Sequence, residues 1–236
     1  MKVSIHQPQY WPWPPYIHKV MSADLFVYLD IVQFSKNGFQ NRNMVKGQTG
    51  PLWLTIPVIH DLEQSIQYAH GSGPKILQKH WRTLQANYAN TEGFKKWGDE
   101  IWAVLDRDPD DLCSVLIDST DWLLKKLGVD TPTIKASELV DITGHGTELV
   151  ASICRSVSAT SYLTGSGALD YMESQLFSDI GCEVLIQDWQ PLTYNQVNSK
   201  AGFIPNLSTL DLLLNCPDDA REKIENSGSW EILWAK

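Results

Sequence analysis

The residues of this chain best suited to chemistry are one histidine, one cysteine and a cluster of amide, aromatic and basic side chains. His6 closes a short apolar run, Val3-Ser4-Ile5, and opens Gln7-Pro8-Gln9-Tyr10-Trp11-Pro12-Trp13-Pro14-Pro15-Tyr16. Cys216 ends one helical pattern and stands directly before Pro217-Asp218-Asp219. That spacing predicts Cys216 at the N-cap of the next helix, where backbone N–H groups and the helix dipole favour a thiolate. The two carboxylates oppose that charge. A thiolate nucleophile also needs a base, and His6 at a strand end is the candidate by topology. An inert buried thiol is the competing reading for Cys216 and the favoured one for Cys113, Cys154 and Cys182.

A second apolar run, Leu25-Phe26-Val27-Tyr28-Leu29, ends at Asp30 and leads into Val32-Gln33-Phe34-Ser35-Lys36 and Gln40-Asn41-Arg42-Asn43. Lys36, Arg42 and Lys46 among these amides could hold a phosphate by charge and forked hydrogen bonds; a solvated loop is the alternative. The turn Thr164-Gly165-Ser166-Gly167 joins a strand to a helix and is small enough for an anion to approach its backbone. It lacks full GxGxxG or Walker spacing, so a plain tight turn is equally consistent. His60, His70 and His80 show no HExxH pattern, so no metal site is expected. His145, between two glycines, reads as a solvated loop residue.

These groups need elements to position them. The two apolar runs read as buried strands, and Ile17, Val20 and Met21 share a face of the helix between them, which Pro14-Pro15 opens. The result is a βαβ unit whose strand ends carry the polar residues, where open α/β sheets bind ligands. Residues 31–50 read as a long functional loop, and Leu52–Val58 as a third strand ending at Pro57. Helical periodicity covers 74–87, 92–105 and 112–127, with Gly128 as the stop; Trp81, Trp97, Trp102 and Trp122 fall on the apolar stripes as packing. Strands are then expected at 131–135, 161–163 and 183–187, and helices at 147–157, 168–180, 207–215 and 217–226. The expectation is a single α/β domain over 1–236, with a mostly parallel sheet flanked by helices and a helical subdomain near 74–128.

The totals set bounds. The chain has 236 residues, 43% hydrophobic and 20% charged, which suits one globular domain. A net charge of −9 argues against nucleic acid as the partner, because phosphate backbones demand clustered Lys and Arg. The apolar runs are too short to span a bilayer, and the amino terminus has no signal-peptide pattern. Four cysteines without CxxC read as reduced thiols, so a cytoplasmic address with no membrane insertion is expected.

His6-Gln7-Pro8-Gln9-Tyr10, Pro12-Trp13, Lys19, Ala23-Asp24, Asp30, Val32-Gln33-Phe34-Ser35-Lys36 and Asn41-Arg42-Asn43 resemble the amino-terminal signature of WbqC-like proteins. Ser137-Glu138-Leu139, Tyr162-Leu163-Thr164-Gly165, Tyr171, Phe203–Ser208 and Leu210–Leu213 extend the likeness along nearly the whole chain. The resemblance implies a protein of O-antigen and other surface-polysaccharide clusters. It implies an acyl-carrier-protein-dependent aminoacyl transferase, moving glycine from a phosphopantetheine thioester to a nucleotide-activated amino sugar of the dTDP-4-amino-4,6-dideoxyglucose type, with no bound cofactor. It also implies a Cys-His-Glu triad. Here that would be Cys216 (or Cys154), His6 and Glu138, with Glu173 behind Glu138. Where the family pattern usually has a glycine before the proline, this chain runs Cys216-Pro217 directly. Tyr10, Trp11, Trp13 and Tyr16 would pack the base or sugar, with Lys19, Lys36 or Arg42 near the pyrophosphate and Gln7, Gln33 and Asn41 among the substrate contacts.

Two other readings remain open. The strand ending in His6, the Pro-rich turn and His18-Lys19 also resemble the opening of HUP-type nucleotidyltransferases, although those have a Gly-His pair at His18-Lys19. The third is a non-catalytic sugar-nucleotide binding module.

Overall fold

The computed structural model describes residues 1–36, 38–59, 64–169 and 172–235. Alternation in the first apolar run makes strand β1 (Lys2–His6), with Val3 and Ile5 facing one side and buried Ser4 the other. Helix α1 (Pro14–Met21) begins with two prolines, whose missing N–H groups cost nothing in a first helical turn. It returns the chain to β2 (Leu25–Tyr28), which pairs with β1 in parallel.

A hairpin, β3 (Arg42–Lys46) with β4 (Pro51–Thr55), and a two-residue pair, β5 (Val58–Ile59) with β6 (His70–Gly71), stand apart from the main sheet. Helices α2 (Ile76–Tyr88), α3 (Glu92–Leu105) and α4 (Leu112–Lys126) follow, the last stopped by Gly128 at φ +64°. The chain then rejoins the sheet through β7 (Thr133–Lys135), α5 (Thr147–Ser156), β8 (Ser161–Thr164), α6 (Ser174–Ser178) and β9 (Glu183–Trp189). It closes with α7 (Thr209–Asn215), α8 (Ala220–Ser227) and β10 (Gly228–Trp234).

The six-stranded sheet has the order β10-β9-β8-β1-β2-β7. Only the β9–β10 pairing is antiparallel. Helices cover both faces, as a mostly parallel sheet demands. One core takes Val3, Ile5, Val27, Tyr162 and Val184 with residues of α5 and Phe177 of α6; the other takes Phe26 and Tyr28 with residues of α1–α4, α7 and α8. The expected fold class is therefore observed.

Three local expectations are corrected. Residues 42–46, expected in a loop, form β3, and Leu52–Leu54 pair with it rather than joining the sheet. The hairpin is a local pairing whose exposed strand β4 carries Trp53 at 45% exposure. The helix expected at 168–180 is reduced to α6, after a 3-10 turn at Ser166–Ala168; Asp170 and Tyr171 lie outside the described residues. Beyond 226, where no element is expected, β10 covers the edge of β9 and so protects it from pairing with another chain.

The Pro-rich loop after β1 is built into the core. Trp11 is fully buried at φ +45°. Its N–H donates to Ser119 Oγ at 3.0 Å, and its carbonyl accepts from Asn43 Nδ2 at 2.9 Å and Ser208 Oγ at 2.6 Å. Residues from α4, β3 and the start of α7 thus hold the backbone between His6 and α1 in one conformation.

Candidate active site

Numbered along the five parallel strands, the sheet runs 3-2-1-4-5: the chain builds outward from β1 to β2 and β7, then crosses to β8 and β9 on the other side. Diverging connections open a crevice between β1 and β8 at their carboxyl ends, the switch point where such sheets bind ligands. A cavity of about 630 Å³ lies there, within the size range of small-molecule sites. β1 contributes Ile5 and His6, and the loop after it Gln7, Gln9 and Trp13. α1 adds Pro15, Tyr16 and Lys19. Across the crevice stand Tyr162 and the Thr164–Gly167 turn from β8, and Gln187, Asp188 and Trp189 from β9.

His6 Nδ1 lies 3.0 Å from the Gln7 carbonyl, which can only accept, so Nδ1 carries the proton and Nε2 the lone pair. The ring meets Tyr16 edge-on at 4.8 Å between centroids, and Tyr16 Oη donates to the same carbonyl at 3.3 Å. The Gln7 side chain is held by Gln40 Nε2 at 2.7 Å. Burial, assisted by the Lys19 charge, pushes the His6 pKa down to about 3, so the imidazole is neutral near pH 7. Burial alone lowers Lys19 to about 7, and burial with the Asp121 charge raises the Tyr16 phenol. The site therefore holds a neutral imidazole beside an ammonium poised to lose its proton.

The WbqC-like protein family matches residues 7–223 of the chain. The chain belongs to this family. An uncharacterized protein of Mycobacterium tuberculosis (strain ATCC 25618 / H37Rv), Rv1507c, is 28% identical over 223 residues, covering 93% of this chain and 95% of its own. No solved structure matches.

The candidate site residues fall on both sides of the cavity wall. His6, Gln7, Trp13, Tyr16 and Lys19 line it. Tyr10 does not: it is fully buried behind the wall, and its hydroxyl donates to His80 Nδ1 at 2.9 Å while His80 Nε2 donates to the Thr55 carbonyl at 3.2 Å. Asn41 is spent on the Ile56 carbonyl at 2.7 Å. Gln33 bridges to Ser65, Lys36 is exposed, and Arg42 lies 4.5 Å from the Trp53 ring centroid on the hairpin. None of Gln33, Lys36, Asn41 or Arg42 is among the lining residues.

Of the three triad candidates, only His6 lines the cavity. Cys216 is the C-cap of α7, not the N-cap of α8, which starts three residues later than the Pro217 position suggests and is preceded by Asp219. The thiol is half-buried and outside the cavity lining. Burial and the Asp219 and Asp211 carboxylates, opposed by Lys223, push it up, away from a thiolate. Glu138 caps its own turn, accepting from Lys135 N at 3.3 Å, with Lys135 Nζ at 3.4 Å, and is not among the residues lining the cavity. Cys154 is fully buried in the core under the sheet, and Glu173 is exposed at the start of α6. His60 lies outside the described residues, and among those described no group of three His, Cys, Asp or Glu side chains could hold a metal. No described helix is long and apolar enough to cross a membrane.

Sequence reading missed Phe39 and the Gln187–Trp189 wall. Phe39, 48% exposed, stacks on Trp13 with centroids 6.5 Å apart and planes at 6°. A lone aromatic in a polar loop was its only signal. His18, next to Lys19, points elsewhere. It is stacked on Trp230 at 5.6 Å, accepts from Gln187 Nε2 at 2.8 Å, and is so tightly covered that a Cβ on Gly228 would lie 2.4 Å from its ring.

Two desolvated neutral histidines, the part-buried His6 and the buried His80, give the family member a definite acid response. His6 at about 3 and His80 at about 4, both lowered chiefly by burial, refuse protons that the unfolded chain accepts below about 6.5. A lowered folded-state pKa contributes stability above the unfolded value that is lost as pH falls through the window. Urea denaturation at pH 7 and pH 5 is expected to differ by about 2–4 kcal/mol, pH 5 being weaker. Equal midpoints at the two pH values would show that these rings are not held neutral.

Proposed function

We propose that this WbqC-like protein is a transferase that holds a nucleotide-activated amino sugar in the switch-point cavity and acylates its amine. The donor is an aminoacyl (glycyl) thioester on the phosphopantetheine of an acyl carrier protein. The acceptor is of the dTDP-4-amino-4,6-dideoxyglucose type, and the product feeds cytoplasmic steps of surface-polysaccharide assembly. The observation that supports this reading is His6, neutral and fixed in one tautomer, facing a cavity at the carboxyl ends of β1 and β8.

A thioester supplies its own driving force, so the reaction needs neither ATP nor a resident cofactor. The amine nitrogen attacks the thioester carbonyl carbon, forming the C–N bond; collapse of the tetrahedral adduct breaks the C–S bond. His6 Nε2 accepts the proton the nitrogen loses and passes it to the departing phosphopantetheine sulfur. The ring is neutral at pH 7, so its Nε2 lone pair is available for the proton. In this scheme transfer is direct, and Cys216, outside the lining, carries no acyl group.

The test incubates the full chain with glycyl-loaded carrier and amino-sugar nucleotide, and mass spectrometry looks for the glycyl amide. Amide formation without a protein adduct is the expected result. Sugar-nucleotide binding without any product would leave a binding module instead. The 3-2-1-4-5 order also favours a nucleotidyltransferase. That reading loses ground because His18 is sealed under Trp230 rather than facing the cavity. It would be revived by NTP consumption with pyrophosphate release.

A further inference from the structure

Lys19 is 7% exposed and lines the cavity, yet it has neither a hydrogen-bond acceptor nor an ion-pair partner among the described residues. Its nearest recorded neighbours are the Tyr16 ring, 5.8 Å from Nζ to centroid, and the Gly165 backbone, where a Cβ would stand 3.9 Å from Nζ. Desolvating an ammonium without a counter-charge costs several kcal/mol in a folded chain. Such a group is retained at little advantage to the fold, but it pre-forms a site for an anionic ligand. The turn beside it leaves room for one: a Cβ on Gly167 would meet nothing within 4 Å. This turn connects β8 to the following 3-10 turn at the switch point, where phosphoryl groups of nucleotides lie in such sheets.

We propose that Lys19 and the Thr164–Gly167 turn form an oxyanion subsite that binds a dianionic phosphoryl group. Lys19 supplies the charge and the turn supplies close approach of the backbone. Both substrates of the proposed transfer contain phosphate, the sugar nucleotide in its diphosphate and the carrier in its phosphopantetheine. Which of them arrives rests on the transfer reading; binding of an oxyanion does not.

The titratable groups facing the subsite are His6 from β1, Tyr16 from α1, Tyr162 from β8 and the exposed Asp188 from β9. Near pH 8 the His6 imidazole and the Tyr16 phenol, both held neutral chiefly by burial, do not titrate, whereas Lys19, at about 7, is mostly deprotonated. An anion bound there draws a proton onto Lys19.

The experiment uses sulfate, which does not itself titrate near neutrality. Calorimetry at pH 8 in two buffers of different ionisation enthalpy reads proton uptake, and thermal denaturation reads stabilisation. The full chain is expected to take up close to one proton per sulfate bound and to melt at a higher temperature. Lys19→Met is expected to bind sulfate at least tenfold more weakly. Lys19→Arg, always charged, should bind without proton uptake, a split that a merely structural lysine would not produce. If Lys19→Met does not fold, the Arg variant decides. Unaltered sulfate binding in Lys19→Met, or proton uptake persisting in Lys19→Arg, would overturn the subsite, as would no binding to the full chain. Competition by dTDP assigns the site to the nucleotide, and competition by 4′-phosphopantetheine assigns it to the donor arm. None of these arms requires transfer, so failure of the transferase reading and failure of the subsite are separately visible.

Discussion

His6→Asn is expected to lower the transfer rate by ~10²–10⁴-fold, the usual worth of a positioned general base, whereas Cys216→Ala should stay within about twofold of the parent. The asymmetry follows from the fold. His6 ends β1 at the switch point, and its Nδ1–H is committed to the Gln7 carbonyl, leaving Nε2 as the acceptor on the ring. Cys216 terminates α7 outside the cavity lining, in surroundings that raise its thiol. Asparagine keeps a donor for the Gln7 carbonyl, so loss of rate with an unchanged melting temperature isolates the proton transfer. The opposite pattern, an active His6→Asn and an inert Cys216→Ala with a glycyl adduct trapped on the parent thiol, would replace direct transfer by the covalent route.

Asp211→Ala should be the most destabilising single change, at about 3–5 kcal/mol, against a total of roughly 5–15 for a domain. The carboxylate is fully buried in α7. It accepts from Lys46 N at 3.0 Å, from Tyr194 Oη at 2.6 Å, from Asn215 Nδ2 at 3.2 Å and from the Tyr88 hydroxyl. Burial raises its pKa, and those donors together with the Lys46 charge restrain the rise. Truncation would strand the Tyr88 hydroxyl proton in the core, leave the Lys46 N–H only the Tyr88 oxygen at 2.7 Å, and remove the counter-charge of a lysine that is itself 1% exposed. Lys46 Nζ in turn donates to Gln196 Oε1 at 3.0 Å and to the Gly202 carbonyl, so the loss extends to the segment after β9. Urea denaturation measures it. A shift below about 1 kcal/mol would show that the network tolerates the loss, as expected only for an exposed hydrogen bond.

Both predictions concern residues whose importance was unequally legible. His6 stands out in the chain because an apolar run breaks at it into an unusual string of amides, prolines and aromatics. Asp211 sits in Thr209-Leu210-Asp211-Leu212-Leu213-Leu214, where a helical period marks the leucines but gives no sign that the carboxylate turns inward too. Buried polar residues defeat pattern reading for this reason: hydrophobicity identifies a core position only when the residue there is apolar. Tyr10, Asn41 and Lys46 were misjudged in the same way, as groups free to meet a ligand. Each is occupied within the protein, by His80, Ile56, and Gln196 with Gly202 respectively.

Cys216 failed through a short-range error with a long-range consequence. Proline fits a first helical turn, but the chain makes a turn at Cys216–Asp219 before α8 begins, with Ala220 N donating to the Cys216 carbonyl at 3.1 Å. A delay of three residues moves the thiol from the start of one helix to the end of another, where the dipole opposes a thiolate.

From the residues alone came the α/β class, the three middle helices with their stop at Gly128, the βαβ opening, and a candidate ligand site at the end of the first strand, where the structure has a cavity. All depend on periodicities and turn chemistry within some twenty neighbouring positions. Tertiary structure alone decided that β8 lies beside β1, bringing Thr164–Gly167 to face His6 and Lys19 across a gap of some 150 residues in sequence. It also decided that Cys216 is not among the residues lining that cavity. Local pattern specifies what each element is, whereas which elements become neighbours depends on how all the apolar faces are covered at once.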